Sequence, residues 1–296
     1  MNRHRVWSSL VVVALFVELM CLGLLCALAV GQTTADVQKA PRVVGTAQSN
    51  KEFEAYQNIL SLKQPGAITR SAEDFLQTYP NSGLSPFIHQ AAALAYQQLK
   101  DRTRVIRHGE AVLQDLPDNV VVLAILARTF AETDQPALSI ARGTAALEAV
   151  GRMAPPSTVT ESAWLAERAN LETDLRLSLG TAYLTQAVKD QPPKREDSLR
   201  HAIENLQKSH DGDPTSGPAN YRLGLAHLMK GDSDKALKFL AWTVALDGAL
   251  SAVARARLEQ VISSQSRLKA IDELVQKAKE DLQKAIQAKQ TPRLVP

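Results

Sequence analysis

The residues best suited to chemistry in this sequence are six histidines, two cysteines and several adjacent carboxylates. No two histidines have the i,i+4 spacing that places a pair on one helix face to hold a metal ion. Adjacent carboxylates such as Glu73 and Asp74 point about 100° apart on a helix and cannot share a proton. The sequence therefore predicts no catalytic residue, no metal site and no cofactor. The histidines are His4, His89, His108, His201, His210 and His227.

Both cysteines, Cys21 and Cys26, lie in an apolar segment near the start of the chain. A lipid-modified cysteine needs small residues before it, whereas Met20 and Leu25 precede these two. Removal of the segment would leave no cysteine, so no disulfide framework is expected.

The apolar segment covers residues 6–28, follows the basic start MNRHR and contains one charge, Glu18. Ala27 and Ala29 match the small residues of a signal-peptidase site. The run also approaches the roughly 20 residues of a membrane span. Residues 1–29 are therefore predicted as a signal peptide or an N-terminal inner-membrane anchor. Either alternative places the remainder in the periplasm or cell envelope, and only an uncleaved segment would contact the membrane.

Composition favours helices over other folds, since 45% of residues are hydrophobic and only 5% are aromatic. The formal net charge of +3 is close to balance. The most basic stretch, RTRVIRH at 102–108, has no interleaved aromatic residue for base stacking and is predicted as a solvated helix start. Nucleic acid is therefore not an expected partner.

An internal period of 34 residues organises the rest of the chain. Ala202 and Ala236 are 34 residues apart, as are Tyr96 and Phe130. Gly224 has a counterpart in Gly180, separated from it by one period and a ten-residue insertion, KDQPPKREDS. Gly224 lies inside a predicted helix in the segment NYRLGLAHLMKGDSDKALKFLAW. A glycine within a helix costs roughly 1 kcal/mol relative to alanine, so its presence predicts that a second helix approaches closely at that position.

A helix–turn–helix period of this length resembles the tetratricopeptide repeat (TPR) family. The resemblance covers about residues 49–250 and implies an all-α fold, an α-solenoid of stacked hairpins with a C-terminal helix. A flexible linker, 30–48, precedes the superhelix, whose predicted extent is 49–265. Its units are 49–82, 86–119, 120–153, 173–216 and 217–250, with an interruption at 154–172.

The interruption begins with two prolines, and Thr158 with Glu161 forms a capping-box pattern. A long helix is expected from about Ser162 to Val188, with Trp164 and Leu165 packed against the third repeat unit. The insertion at 154–200 is the strongest departure from the repeat. One alternative is therefore that the protein is a regulatory subunit of an envelope enzyme and acts through this insertion.

The final segment, 266–296, is predicted as an amphipathic helix and tail. Its apolar positions alternate at steps of three and four, and the helix is expected to fold onto its own superhelix. Self-association through this helix is the alternative. These apolar positions form a seam along one side of the helix and are Leu268, Ile271, Val275, Ala278, Leu282 and Ala285.

The resemblance implies a non-catalytic scaffold of the bacterial cell envelope that binds a peptide or helix of another protein. In this family the binding groove comes mainly from the first helix of each repeat. The lysine and asparagine clamp that some members use for a terminal carboxylate is absent. An alternative is an envelope-assembly factor resembling TPR proteins of outer-membrane insertion or division coordination. The implied groove residues are Phe87, Gln90, Gln97, Arg128, Tyr221 and Met229.

Overall fold

The computed structural model describes residues 43–262 and 268–290, so the predicted leader and most of the predicted linker lie outside them. Within these residues all regular structure is helical, in twelve helices without a strand. The all-α prediction is confirmed. The helices are α1 Asn50–Ser61, α2 Pro65–Thr78, α3 Ser85–Gln98, α4 Arg102–Asp115, α5 Val120–Glu132, α6 Pro136–Arg152, α7 Glu161–Lys189, α8 Lys194–Gly212, α9 Gly217–Lys230, α10 Ser233–Ala245, α11 Ser251–Val261 and α12 Leu268–Gln290.

The chain divides into two compact bodies. Body 1 runs to Pro117 and includes Met153–Leu165, whereas body 2 comprises Asp118–Arg152 and the chain from Ala166 onward. In body 1, α1 packs on α2 and α3, and α3 packs on α2 and α4. In body 2, α5 packs on α6, α9 on α8 and α10, and α10 on α11 and α12. Packing between consecutive helices fits an α-solenoid.

Short polar side chains begin several of these helices. Ser49, Asp101, Asn119, Ser216 and Asp232 each accept a hydrogen bond from a backbone N–H in the first turn of the helix that follows. Between α9 and α10, Gly231 adopts a left-handed conformation with φ of 83°, which ends α9 as a glycine C-cap. The hairpin predicted around this glycine therefore forms.

Two glycines bring paired helices into close contact. A Cβ atom added to Gly224 on α9 would lie 2.7 Å from Cγ of Leu240 on α10. At Gly180 on α7, a Cβ atom would lie 2.5 Å from Cγ of Leu206 on α8. Real Cβ atoms do not approach so closely, so both leucines occupy space that only glycine leaves open. The same contact therefore recurs in the two repeat units that the sequence aligned through these glycines.

Residues 43–48 depart from the predicted flexible linker. The Gly45 N–H donates to the Gly83 carbonyl at 2.8 Å, and the Gln48 side chain donates to the Asn81 carbonyl at 2.9 Å. A Cβ on Gly83 would lie 1.9 Å from the Val43 carbonyl oxygen. Gly83 therefore permits the preceding segment to pack against the turn between α2 and α3.

The long helix after the interruption forms as expected, and α7 covers Glu161–Lys189. Its cap differs from the prediction, because Thr160 rather than Thr158 accepts the hydrogen bond from Ala163 N–H, at 3.3 Å. A turn closed by Val159 N–H and the Pro156 carbonyl places Thr158 ahead of the helix. Trp164 is buried, but Leu165 is 53% exposed, so its predicted packing is wrong.

The C-terminal helix α12 packs on α10 and α11 of its own chain, as the sequence favoured. Ile271, Val275, Ala278 and Leu282 are buried in one apolar cluster with Leu240 and its neighbours. This packing occupies the seam that could otherwise join two copies.

Candidate functional site

Three of the predicted groove residues share one face of α3 in body 1. Phe87, Gln90 and Gln97 are spaced by three and seven residues, which places them along one side of the helix. Phe87 and Gln97 are partly exposed. Gln90 is only 7% exposed and belongs to the packed interior. The solvent-facing part of this predicted groove is therefore smaller than the sequence implied.

The other three predicted residues lie in body 2. Arg128 on α5 is exposed and forms no hydrogen bond or ion pair within the described part of the chain. Tyr221 and Met229 lie on α9, two turns apart and partly exposed. Each packs its inner side against a buried apolar cluster. The structure thus joins Tyr221 and Met229 on one helix face.

This α9 face is an apolar strip with one cation beside it. Tyr221, Leu225 and Met229 follow at steps of four residues, all partly exposed, and Arg222 lies at the edge of the strip. The Arg222 guanidinium donates to the Pro218 carbonyl of its own helix at 3.2 Å. Burial lowers the pKa of Arg222, which Tyr221 offsets only in part, and among residues 43–262 and 268–290 no carboxylate pairs with the guanidinium. A partly buried guanidinium without a carboxylate partner is costly, so it is suited to receive one.

The equivalent face of α7 carries hydroxyl groups in place of two of the apolar side chains. Thr181 and Thr185 occupy the positions of Leu225 and Met229, one period and ten residues earlier. Their hydroxyls donate to backbone carbonyls one turn before them, at 2.7 and 3.1 Å. Since these hydroxyl donors are used within the helix, this face offers a ligand few directional donors.

Body 1 contains a polar cluster that joins three helices. Glu73 on α2 accepts hydrogen bonds from Tyr96 of α3 at 3.0 Å and from Arg107 and His108 of α4. His108 is 1% exposed, and its Nδ1 lies 2.9 Å from Nδ1 of His89 on α3. The stretch 102–108 is therefore not the fully solvated helix start that the sequence predicted.

The distances in this cluster constrain its protons. His108 Nε2 lies 3.1 Å from the Glu73 carboxylate, to which it can donate, and 2.9 Å from Nη2 of Arg107, which can only donate to it. The tautomer of His108 depends on which of these two contacts prevails, and across the 2.9 Å contact between the two Nδ1 atoms one ring donates and the other accepts. Burial lowers the pKa of His108, which Glu73 offsets only in part. Partial burial raises the pKa of Glu73, but hydrogen bonds from Tyr96 and His108 outweigh it and hold that pKa below its usual value.

Acid is expected to destabilise body 1 through this cluster. Because the folded-state pKa of His108 lies below its unfolded value of about 6.5, unfolding takes up a proton, and stability falls as pH decreases below that value. The slope that one histidine contributes is at most ~1.4 kcal/mol per pH unit. Lowering the pH further, through the range below about 4.5, also removes the stabilisation from ionised Glu73.

Urea unfolding at a series of pH values measures this effect. The His108→Gln variant should show a flatter loss of stability below about pH 6.5 than the wild-type protein. An identical pH slope in His108→Gln and wild type would contradict the assignment.

The sequence did not indicate the contact between His89 and His108. They are 19 residues apart on successive helices, and only the register of the α3–α4 hairpin brings them together. The described residues contain no group of three or more His, Cys, Asp or Glu side chains placed to hold a metal ion. The hydrogen bonds of the cluster link α2, α3 and α4, so it acts as an internal tie between these helices.

Comparison with protein-family models finds none that matches the chain, and comparison with curated protein sequences finds no match either. Among residues 43–262 and 268–290, no helix combines the length and apolar character needed to cross a membrane. The function of the chain must therefore be inferred from the chemistry of its own residues.

Proposed function

We propose that this protein is a non-catalytic scaffold of the TPR type, which is exported to the bacterial cell envelope and binds a segment of another protein. The repeat assignment rests on the 34-residue period and on the recurring contacts of Gly180 with Leu206 and of Gly224 with Leu240. Export rests on the sequence of residues 1–29, with cleavage or anchoring as its two forms.

The observation that carries the binding role is the α9 face. Tyr221, Leu225 and Met229 present a partly exposed apolar strip, and Arg222 at its edge has no carboxylate partner in the part of the chain that the structure describes. A helix or extended peptide with apolar side chains and one acidic residue complements such a face. Docking would bury the strip and give the guanidinium a bidentate partner.

A crosslinked pull-down of the tagged protein from envelope fractions tests this role. Arg222→Gln is expected to lose the partners that wild type enriches, because truncating one member of a buried charge pair costs about 2–5 kcal/mol of binding. The variant should melt at or above the wild-type temperature, since it removes a partly buried charge that has no acidic partner.

The matched control is Arg200→Gln on α8, where the arginine is 61% exposed and pairs with Asp197. The double variant Gln97→Ala/Arg128→Ala tests the other predicted groove positions in the same experiment. Equal partner recovery with Arg222→Gln and Arg200→Gln would exclude the α9 face. Recovery of the protein alone, without other partners, would favour self-association through α12.

A further inference from the structure

Phe239 of α10 contacts two buried histidines that come from different helices of body 2. The His227 ring of α9 stacks on Phe239 with an interplanar angle of 10° and ring centroids 5.7 Å apart. The His210 ring of α8 meets Phe239 edge-on, with ring centroids 5.4 Å apart. His227 is 3% exposed and His210 is 9% exposed. The three rings therefore join α8, α9 and α10 at one point of the core.

His227 carries a buried nitrogen that its neutral ring leaves unused. Within the part of the chain that the structure describes, its Nδ1 has no hydrogen-bond partner and lies 3.5 Å from Oδ2 of Asp232. That carboxylate is already engaged at the start of α10. Its Oδ1 accepts from the Lys235 N–H at 3.3 Å, and its Oδ2 pairs with the Lys235 ammonium group at 3.2 Å. A protonated His227 would therefore compete with α10 for this carboxylate.

The charged groups around His227 do not compensate for its burial. Burial lowers the pKa of this ring, and the Asp232 carboxylate offsets that effect only in part. The ammonium groups of Lys235 and Lys230 lower the pKa further. The folded protein therefore keeps His227 neutral below about pH 6.5, where a histidine exposed to water would take up a proton.

His210 is affected in the same direction. Its Nδ1 lies 2.6 Å from the side-chain oxygen of Asn220, and burial lowers its pKa more than this hydrogen bond raises it. Asp211 and Asp213 favour the charged ring, whereas Lys238 disfavours it. The Nζ atom of Lys238 also lies 5.7 Å from the centroid of the phenyl ring. Charging both histidines would thus place two more cations against a ring that already has one.

We propose that His210, Phe239 and His227 form an acid-sensitive latch that holds the α9–α10 hairpin closed. At neutral pH both histidine rings are uncharged and pack on the phenyl ring. Below about pH 6.5 the opened hairpin, whose histidines are exposed to water, takes up protons more readily than the closed one, so acid favours opening. Opening would disperse the apolar strip of α9, so acid would also release a bound segment. This last consequence rests on the proposed function, whereas the latch itself does not.

Hydrogen exchange of the full-length protein, followed by mass spectrometry and corrected for intrinsic exchange rates, tests the latch without any partner. Below about pH 6.5, each of the two histidines should increase the opening of α9 and α10 by up to about tenfold per pH unit. His227→Phe keeps an aromatic ring against Phe239 but cannot be protonated, so it should show a weaker acid response in α9 and α10. The α3–α4 hairpin of body 1 is the internal control, because its response comes from His108 and should stay as in wild type.

NMR titration of the histidine rings in the wild-type protein is a second measurement, which needs no variant to fold. His210 and His227 should both titrate below about pH 6.5. Asp232→Asn should lower the midpoint of His227 further, because it removes the carboxylate that favours the charged ring while asparagine still caps α10. A midpoint of either ring at or above about pH 6.5 would overturn the proposal. So would a corrected exchange of α9 and α10 that does not change with pH, or an identical acid response in His227→Phe and wild type.

Discussion

The Gly224→Leu variant is expected to lose about 1–3 kcal/mol of stability relative to the wild-type protein. Even the first added atom, a Cβ, would lie 2.7 Å from Cγ and 2.9 Å from Cδ2 of Leu240, and 3.4 Å from the Ala236 carbonyl oxygen. Leu240 is fully buried and cannot swing into solvent. The α9–α10 hairpin must therefore open or repack to accept the side chain.

The measurement is denaturant unfolding of wild type, Gly224→Leu and Gly151→Leu. A Cβ atom added to Gly151, near the end of α6, would have nothing within 4 Å, so this variant controls for the loss of a helical glycine. A further cycle pairs Gly224→Ala with Leu240→Ala. Because the second change removes the atoms that the first one strikes, the double variant should cost less than the sum of the singles. Melting of Gly224→Leu at the wild-type temperature would show that the repeat register is wrong.

This glycine also illustrates what the sequence could predict. Ala202 and Ala236 recur after one period, and Gly180 and Gly224 recur after one period and a ten-residue insertion; small residues at such helical positions are a local signal of close approach. Each of the five predicted repeat units overlaps two helices of the structure, although α7, which covers Glu161–Lys189, begins well before the unit 173–216. The turn at Gly231 followed from the same pattern, since a glycine after the last apolar position is typical of a helix end.

Features that depend on contacts between distant residues were not predictable in this way. Glu73, His89 and His108 come from three successive helices, and their side chains meet only after the helices have packed. Gly83 falls between the first two predicted repeat units, but it is required because the backbone at Val43 passes within reach of its missing Cβ. Neither contact leaves a periodic trace in the sequence.

The burial of the predicted groove residues could not be predicted from the sequence for the same reason. Their positions came from the family pattern, which identifies the face of a helix but not the degree to which each side chain is covered. Gln90 is buried, while Arg222, which the pattern did not select, is partly exposed and lacks an acidic partner. Assigning such a residue requires knowing what surrounds it in three dimensions.

The Asn220→Ala variant is expected to lose about 2–5 kcal/mol of stability. Asn220 on α9 is fully buried, and its side chain bridges α9 to the end of α8. Its oxygen lies 2.6 Å from His210 Nδ1, and its amide donates to the Pro214 carbonyl at 2.9 Å. Alanine would leave a buried N–H and a buried carbonyl unsatisfied, at a cost of about 1–3 kcal/mol each.

Asn205→Ala provides the comparison, because Asn205 is also buried but its loss leaves fewer groups unpaired. Its amide donates to the His201 carbonyl within α8, and its oxygen accepts from Arg176, which is partly exposed and can turn to water. Denaturant unfolding should therefore rank Asn220→Ala as the more damaging change, and the reverse order would contradict the bridging role.

The same bridge fixes the tautomer of His210. Because the Asn220 amide donates to Pro214, its oxygen faces the ring, and His210 must carry its proton on Nδ1. Nitrogen-detected NMR of the wild-type protein should show Nδ1–H at this histidine, and the signal should lose its protection from exchange in Asn220→Ala. Protonation on Nε2 in wild type would mean that the Asn220 amide is turned over, which would remove its donor from Pro214 and with it the physical basis for a large stability loss.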